Sequence, residues 1–265
     1  ASAVENDNDV RKEEPKRKIY QNNKSKYEWN VRTVSGDKVK KSKVKKKDRV
    51  KIAILDSGID WGNDIDLIGS YSLVPGEEEM TPLFMDGSGH GSSVAGIIAA
   101  KDNGSGITGI NPNADILSIR VLDNDDQAPV SRVVEGIYLA INEKVDIINM
   151  SFGTLQYSEA LKEAIDQAED AGIIVVAAAG NTGEQGVEYP AALENVIAVG
   201  AVDKMGQVTD ESARGEVEIV APGEKVKTTG LLGTELVASG TSLSAPHVTA
   251  AVSLLLQKDK SVTPE

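Results

Sequence analysis

The distribution of apolar residues along the chain constrains its fold more than any other feature. Five short apolar runs rich in β-branched residues alternate with segments whose apolar residues recur at the spacing of a helix. Strands that are apolar on both faces and alternate with helices are typical of a parallel sheet. The sequence therefore predicts an α/β fold with a mostly parallel central sheet covered by helices on both faces. The predicted strands are residues 50–55, 116–122, 146–152, 173–179 and 196–202, and the predicted helices are residues 91–100, 133–141, 161–168 and 244–257.

Length and composition exclude several classes of protein. A chain of 265 residues with 40% hydrophobic residues can bury one substantial core. It contains no cysteine, which excludes disulfides, cysteine nucleophiles and thiolate metal sites. It also lacks a run of about 18 apolar residues, so no membrane span is expected. Its first residues do not form a signal peptide, so we expect either an intracellular protein or one whose targeting segment has been removed.

Charge is unevenly distributed. Residues 1–50 contain 16 Lys and Arg against 8 Asp and Glu, whereas the remainder contains 12 against 33. An acidic body argues against nucleic acid as a partner, because phosphate binding needs cations clustered on the fold. We interpret the lysine-rich residues 38–47 as a solvated connector, with a polyanion-binding patch as the alternative. The uneven charge also fits a basic arm that lies against the acidic body, or an acidic groove that attracts a basic substrate. Residues 1–27 are polar and predict a mobile N-terminal arm, followed by one folded domain over residues 28–265.

Three residues have the properties of a nucleophilic catalytic site. His90, one of two histidines, lies between glycines that let other backbone approach and that expose the ring at the start of a predicted helix. Asp56 directly follows the first predicted strand, where a buried carboxylate needs a partner. Ser242 lies in a Gly-Thr-Ser turn before the last predicted helix, whose dipole favours developing negative charge. Each also has an ordinary structural alternative: a structural histidine, a turn-capping carboxylate and an N-cap serine.

Considered together, these residues predict a catalytic triad, because Asp, His, Ser is one of its known chain orders. Ser242 would attack a carbonyl carbon, and His90 would take the serine proton and pass it to the leaving amine. Asp56 would orient the imidazole and stabilise its charged form. Asn181 ends a buried predicted strand, where its amide would donate a hydrogen bond to the oxyanion.

Four stretches in this chain resemble motifs of the subtilisin family of serine proteases. They are residues 53–59, 89–92, 179–181 and 240–247, and they occur in the family's order between about residues 50 and 257. The resemblance implies a subtilisin-like three-layer fold and a secreted, monomeric serine endopeptidase that acts through an acyl-enzyme and matures by losing its own prosegment. It assigns His247 to the fold and not to catalysis. Family members usually continue beyond the helix that follows the nucleophile, so we expect further C-terminal elements to be missing after Glu265.

The resemblance also implies a substrate groove. Its edges match residues 122–127 and 151–154, which makes Leu122, Ser151, Phe152 and Gly153 substrate-binding residues. Glu188 matches the floor of the primary specificity pocket. A carboxylate at that position would favour Arg or Lys before the cut bond through charge-assisted hydrogen bonds. In the alternative interpretation, Glu188 turns towards solvent.

A structural calcium site is the cofactor that the resemblance implies. Its ligands would be side-chain oxygens of Asp66 and Asn103 and backbone carbonyls of the loop at residues 101–107. The implied carbonyl donors are Lys101, Ser105 and Ile107. In the alternative interpretation, the loop is a plain surface turn, because the segment around Asp66 differs in length from the family pattern.

A further resemblance concerns the subgroup. Residues 27–32, followed by the lysine-rich connector, are similar to the N-terminal segment of lantibiotic leader peptidases. This implies a secreted or cell-surface enzyme of a Gram-positive bacterium that processes a peptide precursor such as a lantibiotic leader peptide. Several enzymes of this subgroup cut after Arg. Two alternatives are a general degradative subtilase and a processing protease that cuts after Glu. A third alternative, an inactive fold used for binding, is disfavoured by competent residues at all four catalytic positions.

Overall fold

The structure is a computed structural model that describes residues 28–35, 44–60, 64–77 and 86–263. Within these ranges the predicted α/β fold is confirmed; the predicted arm at residues 1–27 lies outside them. A seven-stranded sheet consists of β1 (Lys51–Asp56), β2 (Leu67–Ser72), β3 (Asp115–Arg120), β4 (Ile147–Met150), β5 (Ile174–Ala178), β6 (Ile197–Val202) and β7 (Ile219–Pro222). A hairpin is formed by β8 (Val226–Thr229) and β9 (Glu235–Ala238). The helices are α1 (Trp29–Ser35), α2 (His90–Ala99), α3 (Val130–Asn142), α4 (Glu159–Asp170) and α5 (Thr241–Leu256).

The large sheet has the strand order β2-β3-β1-β4-β5-β6-β7, and its neighbouring strands are all parallel. The carboxyl ends of the strands therefore lie along one edge, where the following loops can meet. β1 lies inside the sheet, between β3 and β4. This position brings Asp56, the last residue of β1, to the middle of the edge.

Helices cover both faces of the sheet, as the apolar runs predict. Successive residues of β1 point to opposite faces: Ile52 and Ile54 belong to one core cluster, and Ala53 and Leu55 to another. The first cluster is completed by α1, α2 and α5, and the second by α3 and α4. None of the helices in the described ranges is long and apolar enough to span a bilayer.

The structure differs from the predicted elements mainly at the sheet edges and in the last helix. The edge strands β2 and β7 were not predicted, because exposed side chains such as Ile68 and Val220 leave no buried apolar run. The last helix begins at Thr241, three residues before the predicted start, directly after Gly240. Consequently Ser242 is the second residue of the helix.

Candidate active site

The carboxylate of Asp56 and the imidazole of His90 are joined by a short hydrogen bond. His90 is the first residue of α2, and its Nδ1 lies 2.7 Å from Oδ1 of Asp56. The Asp56 side chain is 1% exposed and the His90 side chain 27% exposed. The same Oδ1 accepts a hydrogen bond from the backbone N–H of Ser57 at 2.7 Å. Since a carboxylate oxygen accepts, Nδ1 carries the hydrogen, which leaves Nε2 as the basic nitrogen of a neutral ring.

The charge of Asp56 also changes the proton affinity of the imidazole. The Asp56 carboxylate raises the pKa of His90 above its ordinary value of 6.5, against the opposing effect of burial. The carboxylates of Asp126 and Asp86 add to this increase. An opposite charge nearby favours the protonated imidazole, so the site is arranged to stabilise a cation at His90.

Asp86 holds the turn that leads into α2, and the sequence analysis assigned it no role. Its Oδ1 accepts hydrogen bonds from the backbone N–H of Gly89 at 2.8 Å and from the hydroxyl of Ser57 at 2.8 Å. Its Oδ2 accepts from the backbone N–H of Ser92 at 2.9 Å. The Ser57 hydroxyl in turn accepts from the N–H of Gly91 at 2.9 Å. These bonds fix the start of α2 to the end of β1, and so fix His90 relative to Asp56.

Asn181 and Ser242 lie beside the same small space. Gly240 has a φ of 141°, a conformation that favours glycine. A Cβ on Gly240 would lie 3.4 Å from both Nδ2 of Asn181 and Oγ of Ser242. The amide nitrogen of Asn181 and the hydroxyl of Ser242 therefore both lie next to Gly240.

Thr241 fixes the orientation of the Asn181 amide. Oδ1 of Asn181 accepts from the backbone N–H of Thr241 at 2.9 Å and from its hydroxyl at 3.2 Å. The Thr241 hydroxyl also accepts from the N–H of Gly180 at 3.2 Å. Because the amide oxygen is engaged with Thr241, the two hydrogens of Nδ2 remain for the space beside Ser242. This role of Thr241 was not predicted from the sequence, although Thr241 directly precedes the proposed nucleophile.

The predicted edges of the groove follow the ends of β3 and β4, the two strands that flank β1. Leu122 is buried after β3, and its N–H donates to the carbonyl of Asp56 at 3.1 Å. Ser151 is buried after β4, and Phe152 and Gly153 follow it towards the surface. Thr154 then forms an antiparallel bridge with Tyr189, with N–O distances of 2.9 and 2.8 Å.

Glu188 lies close to Gly153, in one predicted edge of the groove, and to Gly180, the residue before Asn181. A Cβ on Gly153 would lie 2.7 Å from Cβ of Glu188, and a Cβ on Gly180 would lie 2.7 Å from its Cγ. The Glu188 side chain is half-buried, and burial raises the pKa of its carboxyl group. No donor in the described part of the chain hydrogen-bonds this carboxylate. The two glycines therefore leave room for a desolvated carboxylate that lacks a partner.

The comparisons with known proteins agree with this geometry. The profile of the Subtilase family, Peptidase_S8, matches residues 47–265. The chain belongs to the subtilase family. It is 42% identical over 220 residues to subtilisin E of Bacillus subtilis strain 168, covering 81% of this chain and 57% of that protein. It is 42% identical over 214 residues to a thermostable alkaline protease of Halalkalibacterium halodurans, covering 80% and 58%. It is 39% identical over 238 residues to the minor extracellular protease Epr of Bacillus subtilis, covering 89% and 36%.

These alignments span only part of each relative. The chain covers less than two thirds of the length of subtilisin E, the thermostable alkaline protease and Epr.

In this subtilase the predicted calcium loop lies against Asp64, a residue that the sequence analysis did not consider. The amide nitrogen of Asn103 donates to Oδ2 of Asp64. Oδ1 of Asn103 accepts from the N–H of Ser105 at 3.0 Å. The carboxylate of Asp66 is 72% exposed and lies 2.8 Å from the ammonium group of Lys101. Of the two predicted side-chain donors, Asn103 therefore lies in the loop next to a carboxylate, whereas Asp66 forms an ion pair.

These residues surround a cavity of about 550 Å³. Carboxylate, amide and carbonyl oxygens are the ligands that calcium prefers. The Asp64 carboxylate is of this kind, but it accepts from the amide nitrogen of Asn103 and lies 4.0 Å from the ammonium group of Lys101. The described residues contain no group of three or more His, Cys, Asp or Glu side chains that could hold a metal. A calcium ion at this loop would consequently depend on carbonyl oxygens for most of its ligands. The cavity is lined by Asp64, Ile65, Asp66, Ala100, Lys101, Asn103, Ser105, Gly106, Ile107, Thr229, Gly233 and Glu235.

Proposed function

We propose that this subtilase is a serine endopeptidase with Asp56, His90 and Ser242 as its catalytic triad. The observation that carries the proposal is the 2.7 Å hydrogen bond between the buried Asp56 and Nδ1 of His90. This bond leaves Nε2 as the base, and the half-buried Ser242 is the second residue of α5, which begins directly after Gly240. The arrangement supplies the orienting acid, the base and the nucleophile that acyl transfer requires.

Hydrolysis would proceed in two steps. Oγ of Ser242 attacks the carbonyl carbon of the peptide bond, and its proton moves to Nε2 of His90. The Asn181 amide donates a hydrogen bond to the oxyanion, which is supported by its position beside Ser242. The amine leaves with the proton from His90 and an acyl-enzyme remains. Water then attacks the acyl group, with His90 acting again as base and then as acid.

We propose a preference for Arg or Lys before the cut bond. The half-buried Glu188 carboxylate has already lost part of its hydration, so it gains more from a cationic side chain than an exposed carboxylate would. The same charge disfavours Glu at that position, because two carboxylates would repel each other. Leu122, Ser151, Phe152 and Gly153 would bind the substrate backbone and wall the pocket.

We propose precursor processing as the role of this specificity. A selective pocket suits cleavage at one site of a precursor, such as a lantibiotic leader peptide, better than general degradation. The similarity of residues 27–32 to leader peptidases supports this role; residues 29–32 belong to α1 and Tyr27 lies outside the described residues. General degradation remains the competing role, and many cleavages in an unstructured protein such as casein would favour it.

We propose the following for the rest of the protein. Calcium would bind between Asp64 and the loop at residues 101–107, with carbonyls of Lys101, Ser105 and Ile107 as donors. The protein would be a secreted or cell-surface monomer of a Gram-positive bacterium that has lost its prosegment, with peptides or proteins as substrates. One relative, Epr, is named an extracellular protease, which supports secretion, and the net charge of −13 argues against nucleic acid as a partner.

A peptide library with every residue type before the cut bond tests the function. We expect cleavage predominantly after Arg and Lys by the wild-type protein and none by the Ser242→Ala control. A broad apolar preference would contradict the role of Glu188 but leave the endopeptidase proposal intact. Failure of a fluorophosphonate to label Ser242 in the wild-type protein would contradict the endopeptidase proposal itself.

A further inference from the structure

The short helix α1 packs on α5, the helix whose second residue is Ser242. Val31 is 3% exposed and belongs to the same core cluster as residues of α5. The indole N–H of Trp29 donates to the carbonyl of Lys225 at 3.4 Å, and Glu28 lies 3.4 Å from the ammonium group of Lys227. The position of α1 against α5 is therefore fixed by apolar packing and by polar contacts near β8.

A hydrogen bond between two buried side chains joins these helices. Nδ2 of Asn30 lies 3.0 Å from Nε2 of His247, which is fully buried in α5. Nδ1 of His247 lies 2.7 Å from the carbonyl oxygen of Leu243. A carbonyl only accepts, so Nδ1 carries a hydrogen. Burial lowers the pKa of His247 to about 4, so the ring is neutral near pH 7 and its Nε2 accepts from Asn30.

The first turn of α5 lacks one of its own hydrogen bonds. Pro246 lies inside the helix and has no N–H. The acceptor of the missing bond would be the carbonyl of Ser242, four residues earlier. The imidazole of His247 does not replace that bond, but it adds a side-chain hydrogen bond to the carbonyl of Leu243, the residue after Ser242. The turn that carries Ser242 is thus held by a side chain whose orientation Asn30 fixes.

The Asn30 side chain is only partly satisfied by hydrogen bonds within the described residues. Its Oδ1 is buried and has no hydrogen-bond partner among them. A buried polar atom without a partner costs free energy, and an apolar residue of similar shape would avoid that cost. An apolar residue would, however, leave the buried Nε2 of His247 without its donor, so the bond to His247 is what Asn supplies at this position.

We propose that Asn30 is a positioning residue for the nucleophile. It orients His247, which holds the carbonyl of Leu243 and with it the turn that contains Ser242. The N-terminal helix thereby acts as a clamp on the catalytic serine. This inference rests on the proposed role of Ser242 as the nucleophile.

Asn30→Leu is the variant that tests the clamp. It keeps the size and burial of the side chain, removes the unsatisfied oxygen and abolishes the bond to His247. We expect kcat per titrated active site to fall about tenfold, which corresponds to ~1.4 kcal/mol, about the worth of one hydrogen bond. The rate of Ser242 labelling by a fluorophosphonate should fall by a similar factor. Thr33→Ala is the matched control, because it removes an exposed side-chain bond within α1 and leaves Asn30 in place.

Two further measurements separate positioning from folding. Active-site titration counts only folded, reactive protein, so a loss of folded protein does not lower kcat per site. Asn30→Ala gives a second variant if Asn30→Leu fails to fold. A ¹⁵N spectrum of the imidazoles, simple because the chain has two histidines, should show Nε2 of His247 losing its donor in the variant. Wild-type kcat and labelling rate in Asn30→Leu, or an equal loss in Thr33→Ala, would overturn the clamp. Absence of labelling in the wild-type protein would instead overturn the role of Ser242.

Discussion

Replacing Glu188 by Gln tests the specificity pocket with the smallest change in shape. The amide has nearly the volume of the carboxylate, so the contacts with Gly153 and Gly180 persist while the charge is lost. Substrates with Arg or Lys before the cut bond should lose affinity for the transition state. Substrates with Leu at the same position should be cleaved as well as by the wild-type protein, since they make no charged contact.

The size of the effect follows from the burial of Glu188. Two unit charges about 4 Å apart interact by about 4 kcal/mol at an effective dielectric constant of about 20. Because Glu188 is only half-buried, solvent screens part of this charge–charge interaction. A smaller value is therefore expected, about the 1.5–3 kcal/mol of a charge-assisted hydrogen bond. About 1.4 kcal/mol corresponds to a factor of ten. The ratio of kcat/KM for Arg over Leu substrates should therefore fall about 10- to 100-fold.

The assay compares kcat/KM for two peptides that differ only in Arg or Leu before the cut bond. Measurement across pH adds a second check. Burial raises the pKa of Glu188, so the carboxylate form is lost as pH falls through that raised value. The ratio of kcat/KM for Arg over Leu in the wild-type protein should then decline towards the ratio in Glu188→Gln. The ratio in the variant should not change over this pH range, because the Gln amide does not ionise. An unchanged Arg-to-Leu ratio in Glu188→Gln would refute the assignment of Glu188 to the pocket floor.

Three further predictions concern catalysis and stability. Asn181→Ala should lower kcat by about 10²–10³, a range established on a subtilisin, with little change in KM, because the oxyanion donor acts in the transition state; a rise in KM alone would contradict this. Because Asp56 raises the pKa of His90, the base form prevails only above that pKa, so kcat/KM should fall as pH drops through a value above 6.5. A fall of kcat/KM that occurs only below pH 6.5 would contradict this prediction. Removing calcium with a chelator should lower the Tm of the wild-type protein more than that of Asn103→Ala, and equal shifts measured by calorimetry would argue against calcium at the loop.

The sequence predicted the centre of the fold better than its edges. Strands such as β1 and β5 are buried on both faces, so their apolar runs are continuous and easily recognised. At β2, exposed and half-exposed residues alternate with little regularity, and its pairing with β3 shifts register between Leu67 and Gly69. Local patterns carry little information about such a strand, because its neighbour in the sheet determines where it pairs.

Some residues of the candidate site could be predicted from the sequence, and others could not. Asp56 ends β1 and His90 begins α2, so their meeting at the carboxyl edge of the sheet could be expected from the geometry of a parallel sheet. Asp86 and Thr241 act through hydrogen bonds to residues distant in the chain, such as Ser57 and Asn181. Those contacts exist only in the folded protein, and spacing along the chain does not reveal them.

The burial of α5 has a consequence for how this protein would lose activity on heating. The helix packs on α2 and on β4, β5, β6 and β7, and most of its residues are buried. Amides in such an element open only with free energies close to that of global unfolding. The serine at its start therefore keeps its place while surface loops fray and re-form. Heat inactivation should accordingly follow the unfolding of the whole core, and the backbone amides of α5 should be among the last to exchange with deuterium.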